Sequence, residues 1–303
     1  MRIGLTASGS TVDELVAYAK AVEADGFNSL WFASVTAGDP LAAIAVAGRA
    51  TSSIELGTAV LQTYPCHPLL QANRAASVVN AMNRSFTLGI GPSHESVVVR
   101  NYGLSYDHPG RNTEEYVHIL SGLLSGEVVD FEGQDWIAHS KHAMEPLVHP
   151  VPLLVSALAP RLLRVAGTMA HGTILWMAPA PAIESLIAPK LHEAASLAGR
   201  PTPRIVAGLP VAVHDDVNEA RAAVAGAAAF YDRMPNYRRV LDAGGYSTAV
   251  EAAIVGDEGS VTKQLQALFD AGATDVWAGA FPVGDNPEES LQRTYQALRG
   301  MLG

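Results

Sequence analysis

The stretch Ile54–Glu95, IELGTAVLQTYPCHPLLQANRAASVVNAMNRSFTLGIGPSHE, decides the fold. From Ile54 to Leu61, apolar and small residues alternate as they do in a β-strand. Pro65 and Pro68 interrupt the strand, and Leu69–Val79 then has the spacing of a helix. Ser85–Ile90 returns to strand. The order strand, helix, strand predicts one βα unit and the strand that follows it; the expected packing contacts of the helix are Leu70, Ala76 and Val79.

Two parallel strands joined by a helix form the repeating unit of a barrel or of a doubly wound sheet. In both folds, ligands bind beyond the carboxyl ends of the strands. The residues predicted to face a ligand are therefore Ala59–Thr63 and Gly91–Glu95.

The same alternation of strand and helix continues along the chain until eight strands are counted. Regular βα alternation to eight favours a closed barrel over an open sheet. We expect residues 1–303 to form a single (β/α)8 TIM barrel domain with small insertions. The remaining predicted strands are Arg2–Leu5, Ser29–Ala33, Pro152–Ser156, Thr173–Met177, Arg204–Val213 and Asp275–Gly279.

Three segments depart from the simple alternation. Residues 94–111 are predicted to be a loop that leads into a helix from about Asn112 to Leu124. Val128–Trp136, with Gly133 inside it, has the pattern of a small hairpin. Met234–Val255 is predicted to be an irregular helical insertion before the last βα unit.

Composition excludes several classes of protein. The formal net charge of −10 argues against nucleic acid or an anionic membrane surface as the main partner. Cys66 is the only cysteine, so no intramolecular disulfide can form. The first residues begin a strand and lack the apolar core of a signal peptide. Since no apolar run approaches about 18 residues, we expect no membrane span and a cytoplasmic protein.

Two catalytic motifs are only partly present near Gly89. The run GIGPSH begins like the dinucleotide fingerprint but lacks its third glycine, and Pro92 follows the second. Glu95 stands where a nucleophile elbow needs glycine. His139 and His142 are three residues apart but have no obvious partner carboxylate, so we expect no metal site.

Three features near strand ends remain as candidates. His94 follows the fourth strand, where an imidazole can exchange a proton near neutral pH or simply hydrogen-bond its loop. Ser156–Ala159 connects a strand to a helix that starts at Pro160, and free N–H groups at such a start attract phosphate; an ordinary tight connection is the alternative. Trp176 is either core or pocket wall.

Several motifs resemble the luciferase-like monooxygenase superfamily, and most of all its coenzyme F420-dependent, deazaflavin branch of actinobacterial type. The resemblance covers nearly the whole chain and is carried by GTAV at 57–60, YPCHP at 64–68, FTLGIGPSH at 86–94, ALAPRLLRVAG at 157–167 and AGATD at 271–275.

The resemblance implies an oxidoreductase that holds a deazaflavin ring in the barrel mouth and transfers a hydride. It implies a non-prolyl cis peptide between Ala59 and Val60 behind the ring, a phosphate cradle in Ser156–Leu158, and Ser93 with His94 at the ring edge. His94 is the expected catalytic residue. The cofactor-binding residues so implied are Thr58, Ala59, Val60, Gly91, Ser93, His94, Ser156, Ala157, Leu158, Ala159 and Trp176.

Two stretches differ from the pattern of relatives. Ser34–Ala37 lacks the acidic residue or histidine that several relatives place after strand two, and Met177–Ala180 lacks the lysines that bind a sugar phosphate. We therefore expect a small uncharged or apolar substrate. FMN in place of F420, and a non-catalytic flavin- or deazaflavin-binding protein, remain alternatives. A homodimer is expected from analogy alone.

Overall fold

Eight parallel strands form a barrel in the computed structural model, which describes residues 1–34 and 38–302. The third strand has two segments, and the ring closes where the second segment pairs with β4, Leu61 opposite Ile90. The predicted (β/α)8 barrel is thus confirmed. The strands are β1 Arg2–Thr6, β2 Ser29–Phe32, β3 Glu55–Thr58 with Leu61–Gln62, β4 Leu88–Gly91, β5 Leu153–Val155, β6 Gly172–Trp176, β7 Arg204–Val213 and β8 Asp275–Ala280.

Helices surround this sheet and bury one face against it. Their start signals are those of the sequence: Thr11, Asp39 and Asn286 each accept a hydrogen bond from a backbone N–H of the first turn. The α-helices are Val12–Ala24, Pro40–Ala50, Pro68–Met82, Glu95–Tyr102, Pro109–Leu124, Pro160–Met169, Ala180–Ala182, Ala188–Leu197, Val217–Ala228, Pro235–Ala243, Glu258–Asp270 and Pro287–Arg299. A π-helical turn, Ile183–Ile187, lies between Ala180–Ala182 and Ala188–Leu197.

Two predictions about helices were wrong. Leu70 is 55% exposed, because Ala72, Ala75 and Val79 form the buried face of its helix. The predicted loop after His94 contains the helix Glu95–Tyr102. Only one residue of that helix is buried, so its sequence carries too weak an apolar pattern to indicate a helix.

The two predicted excursions are present in modified form. The hairpin pairs Asp130–Glu132 with Ile137–His139, so its second strand begins later than expected. The insertion contains the helix Pro235–Ala243, but it ends in the strand Ile254–Gly256, which pairs with β7 and was not predicted. Three buried residues in a row carry no alternation that would indicate a strand.

The barrel interior is a small cluster separate from the core between sheet and helices. It consists of Trp31, Leu154, Ile174, Val206 and Trp277. Glycines on neighbouring strands make room for the indoles: a methyl group on Gly208 would lie 2.1 Å from the Trp277 ring. The interior is therefore packed, as expected of such barrels, and any ligand must bind at one end.

At the amino ends of the strands an ion network closes the barrel. Arg2 and Arg204 each contact both Asp275 and Glu55, at 2.5 to 2.9 Å. Burial alone would raise the pKa of Asp275, but its contacts with Arg204, Thr274 and Arg2 lower the pKa below the ordinary value. Among the helices that the structure describes, none has the length and apolarity to cross a membrane.

Candidate functional site

The floor of the barrel mouth lies at the carboxyl ends of the strands, directly above the interior cluster. Ala59, Val60 and Trp176 pack on that cluster and are partly exposed. The peptide bond between Ala59 and Val60 is cis, as the resemblance implied. The Val60 carbonyl accepts a hydrogen bond from the Ser34 hydroxyl. Ser34 begins the stretch Ser34–Ala37, which was predicted to lack the acidic residue or histidine that several relatives have there. Residues 35–37 lie outside the described residues.

Strands β3, β4 and β5 approach closely at the floor. A methyl group placed on Gly91 would lie 2.9 Å from Cβ of Ser156 and 3.1 Å from Cγ2 of Val60. The structure therefore brings these three predicted site residues together. None of the three has a side chain larger than that of valine.

Thr58 is in the barrel wall rather than in the mouth. Its side chain is fully buried, and its hydroxyl donates to the Gly89 carbonyl at 2.7 Å while it accepts from the Gly89 N–H at 2.9 Å. Both hydrogen-bonding roles of the hydroxyl are used between β3 and β4. Thr58 thus fixes the spacing of the two strands beneath the floor.

The helix Pro160–Met169 begins beside the floor, after Ser156–Ala159. Its cap residue is Ala159, which has no side-chain acceptor, so the first-turn N–H groups lack a capping partner. Ala157 and Leu158 are buried, and Ser156 is held by its N–H bond to the Ile90 carbonyl at 2.8 Å. An uncapped helix start favours an anion such as phosphate.

The turn after β4 holds His94 over one side of the mouth. Ser93 has a left-handed backbone, φ 63°, and its carbonyl accepts a hydrogen bond from the Tyr106 hydroxyl at 2.8 Å. The His94 ring lies edge-on to Phe230 at 5.4 Å between centroids and 6.0 Å from Tyr237. Burial lowers the pKa of His94, so the imidazole is neutral at pH 7.

A cavity of about 660 Å³ opens beside His94. Apolar groups dominate its walls, and one guanidinium and one carboxylate, Arg233 and Glu95, lie in its lining. Its size suits a small organic molecule. The cavity is lined by Ser93, His94, Glu95, Ser96, Tyr106, Ala229, Phe230, Arg233, Met234, Pro235, Asn236 and Tyr237.

Sequence reasoning missed the aromatic wall of this cavity. Phe230 and Tyr237 line the cavity; Phe230 follows the helix Val217–Ala228, and Tyr237 is on the insertion. Both rings, and that of Tyr231, meet His94, which follows β4. Their spacing in the sequence resembles that of ordinary core residues. The only signal for this wall in the sequence is the adjacent pair Phe230 and Tyr231 beside a short helix. That pair does not indicate which end of the strands the rings face.

Several buried polar atoms near the mouth lack partners among the described residues. They include Oε1 of Gln62 and Oγ1 of Thr63. Buried polar groups are normally hydrogen-bonded, so an unpaired group beside an open mouth marks a place for a ligand or ordered water. Gln62 and Thr63 follow the floor residues on the third strand and belong to the segment predicted to face a ligand.

A second cleft of about 1210 Å³ lies at the opposite end, near the amino ends of β5 and β6. His118, His171 and Arg200 are among its lining residues. Barrel enzymes place their sites at the carboxyl ends, so size alone does not make this cleft the site.

The histidines considered as metal ligands do not form a metal site. His139 pairs with Asp130 at 2.5 Å. In residues 1–34 and 38–302 no cluster of three His, Cys, Asp or Glu side chains could hold a metal.

Comparisons with known proteins agree with this geometry. A model of the family described as luciferase-like monooxygenase matches residues 2–299. The 5,10-methylenetetrahydromethanopterin reductase of Methanolobus tindarius is 27% identical over 286 residues, which are 93% of this chain and 85% of that protein. The F420-dependent glucose-6-phosphate dehydrogenase of Beutenbergia cavernae is 29% identical over 315 residues, 97% of this chain and 87% of that protein.

Solved structures share the fold at lower identity. The coenzyme F420-dependent tetrahydromethanopterin reductase from Methanopyrus kandleri superposes with a TM-score of 0.79 at 21% identity, covering 97% of this chain and 96% of that one. An F420-dependent secondary alcohol dehydrogenase in complex with an F420-acetone adduct gives 0.78 at 18% identity, covering 98% and 97%.

Proposed function

The chain belongs to the luciferase-like monooxygenase family, and from that premise we propose that it is an oxidoreductase transferring a hydride between coenzyme F420 and a small, uncharged organic substrate. The relatives that use F420 support the cofactor. The observation that carries the proposal is the close approach of β3, β4 and β5 at Val60, Gly91 and Ser156, beside an uncapped helix start. We propose that the whole chain, residues 1–303, acts as one barrel domain.

The residues present fit a deazaflavin cofactor. Ala59, Val60 and Gly91 give an apolar floor for a planar ring, and the Trp176 indole packs on the same interior cluster as Ala59 and Val60. The N–H groups at the start of Pro160–Met169 suit the cofactor's phosphate. When bound, the deazaflavin supplies or accepts the hydride.

The chain itself supplies position and a dry environment. The floor and the cavity beside His94 would hold cofactor and substrate against each other, and orientation of this kind is a main source of rate. His94 is our candidate for the group at the ring edge. As a neutral imidazole it offers one N–H donor, so it polarises a neighbouring atom without adding a positive charge.

The cavity supports an uncharged substrate. Its walls include Phe230, Met234 and Pro235, which suit a hydrocarbon body. Met177–Ala180 follows β6 without a lysine, so nothing there would bind a phosphorylated sugar. The glucose-6-phosphate activity named for one relative is therefore not proposed for this chain.

Cofactor titration tests the proposal. The protein is titrated with F420 and, separately, with FMN while tryptophan fluorescence is followed, because Trp176 lies at the floor. We expect F420 to quench the emission and to saturate at lower concentration than FMN. Tighter binding of FMN would favour the monooxygenase alternative, and no binding of either would refute the proposal.

A second test separates an enzyme from a cofactor carrier. His94→Ala is expected to lower turnover of the loaded protein with a panel of neutral acceptors, while its F420 affinity changes little. Unchanged turnover would leave His94 as a loop residue. Tight F420 binding without turnover of any acceptor by the unmodified protein would make the chain a carrier.

A further inference from the structure

Tyr237 stands apart from the other tyrosine that lines the 660 Å³ cavity. The Tyr106 hydroxyl is occupied, since it donates to the Ser93 carbonyl at 2.8 Å. The Tyr237 hydroxyl makes no hydrogen bond to any residue that the structure describes, although only 9% of the residue is exposed. The hydroxyl itself is not among the fully buried polar atoms, so it is accessible from the cavity that Tyr237 lines.

The packing around Tyr237 holds its ring in place. The Tyr231 ring lies 4.6 Å away and the His94 ring 6.0 Å away, centroid to centroid. The helix that carries Tyr237 is tied down by Arg238, which donates to the Ser247 carbonyl at 2.7 Å and to the Tyr246 carbonyl. The unpaired hydroxyl is therefore a fixed feature of the cavity.

We propose that the Tyr237 hydroxyl is the hydrogen-bond donor for an oxygen of the substrate, and that the substrate is a neutral, largely apolar carbonyl compound or the corresponding alcohol. The inference rests on the proposed function, because it assigns a role within the same site. The Tyr237 hydroxyl shares the cavity with the apolar side chains of Phe230, Met234 and Pro235, which matches an oxygen on a hydrocarbon body. Burial also raises the pKa of Tyr237, which keeps its hydroxyl a donor at any working pH.

His94 and Tyr237 then have separable tasks. His94 follows β4, whereas Tyr237 is on the insertion after β7. Substrates lacking an oxygen acceptor would leave the phenol unpaired, which costs binding free energy.

A pair of shape-matched probes tests the inference directly. Binding of cyclohexanone and of methylenecyclohexane, in which CH₂ replaces the oxygen, is measured by ligand-observed NMR on the unmodified protein, Tyr237→Phe and Tyr246→Phe. Tyr246 is on the same insertion, outside the cavity lining, and makes no side-chain hydrogen bond to a described residue, so its variant is the matched control.

We expect Tyr237→Phe to weaken cyclohexanone binding by roughly three- to tenfold, and not to weaken the binding of methylenecyclohexane, which makes no hydrogen bond with the phenol. Tyr246→Phe should bind both probes as the unmodified protein does. Equal cyclohexanone affinity in the unmodified protein and in Tyr237→Phe would overturn the inference, as would failure of the unmodified protein to bind cyclohexanone.

F420 titration of the same variants keeps the two proposals distinct. If F420 does not bind but the Tyr237-dependent preference for the ketone persists, the proposed function fails and the inference stands. If F420 binds every variant but Tyr237→Phe does not affect ketone binding, only the inference fails. Unfolding midpoints of the variants confirm that the Phe ring has kept the packing of Tyr237.

Discussion

The two ends of the barrel are built on opposite principles. At the amino ends, Arg2, Glu55, Arg204 and Asp275 satisfy one another's charges and close the barrel. At the carboxyl ends, a cavity of about 660 Å³ opens beside His94, and Oε1 of Gln62 and Oγ1 of Thr63 lack partners among the described residues. The comparison indicates that the amino ends of the strands stabilise the fold. At the carboxyl ends some polar groups have no hydrogen-bond partner and are available to a ligand, as a binding site requires.

The largest expected effect is at the closed end. Arg204→Met would leave Asp275, whose side chain is 2% exposed, with Arg2 as its only ionic partner among the described residues. Loss of one partner from a buried ion pair destabilises strongly, so we expect about 3 kcal/mol less free energy of unfolding. Urea denaturation measures it.

The control for that change is an exposed ion pair. Arg299 contacts Asp25 at 3.1 Å, and both side chains are largely in solvent. Arg299→Met should cost less than about 1 kcal/mol. Similar losses in the two variants would contradict the special role given to the closed end.

A change at the open end should affect binding as well as stability. Gly91→Ala inserts a methyl group within 2.9 Å of Ser156, which overpacks the floor and costs about 1–3 kcal/mol. We also expect F420 affinity to fall about tenfold, because the ring can no longer lie close to the floor. A tenfold change corresponds to about 1.4 kcal/mol. Calorimetric titration would measure it.

Gly226→Ala is the matched control, because a methyl group on this helical glycine would meet no atom within 4 Å. Alanine is the better helix former, so stability should rise slightly, by up to about 1 kcal/mol, without a change in affinity. If Gly91→Ala binds F420 as tightly as Gly226→Ala does, the floor is not the ring site.

The smallest expected effect depends on pH. Partial burial of Glu23 opposes its ionisation, but N–H groups of Ser53, Ile54 and Ser52, at 2.6 to 3.0 Å, lower the pKa of Glu23 to about 2. A depressed folded-state pKa stabilises the fold above the ordinary value of 4.5, and that contribution is lost as pH falls from about 4.5 to about 2.

Glu23→Gln should therefore lower the unfolding free energy near neutral pH by less than about 1 kcal/mol, since solvent screens the group. The difference from the unmodified protein should vanish toward pH 2. Denaturation curves at several pH values measure it, and a difference that grows on acidification would have the wrong sign for this account.

The sequence predicted the features that depend on local signals. Alternating apolar residues indicated the eight βα units, because the period of a strand or a helix is a local property of the sequence. Leu70 was wrongly predicted to be a packing contact, because the helix that begins at Pro68 buries the face with Ala72, Ala75 and Val79. The helix Glu95–Tyr102 was missed because only Val98 is buried in it.

The residues of the candidate site also fall into two groups, those that the sequence predicted and those that it did not. Strand-end positions such as Gly91 and His94 followed from the fold, and the Ala59–Val60 cis bond followed only from resemblance to a family. Tyr237 could not be predicted, because it meets His94 through a long-range contact made by the insertion. Such contacts depend on how the whole chain closes, which no local pattern encodes.

A crystal structure of the protein soaked with F420 tests the central claim most directly. The account predicts density for the ring against Ala59, Val60 and Gly91, with the phosphate at the start of Pro160–Met169 and the cavity beside His94 still open. Density for the cofactor in the cleft near His118 and Arg200, or a mouth left without it at saturating concentration, would contradict the account.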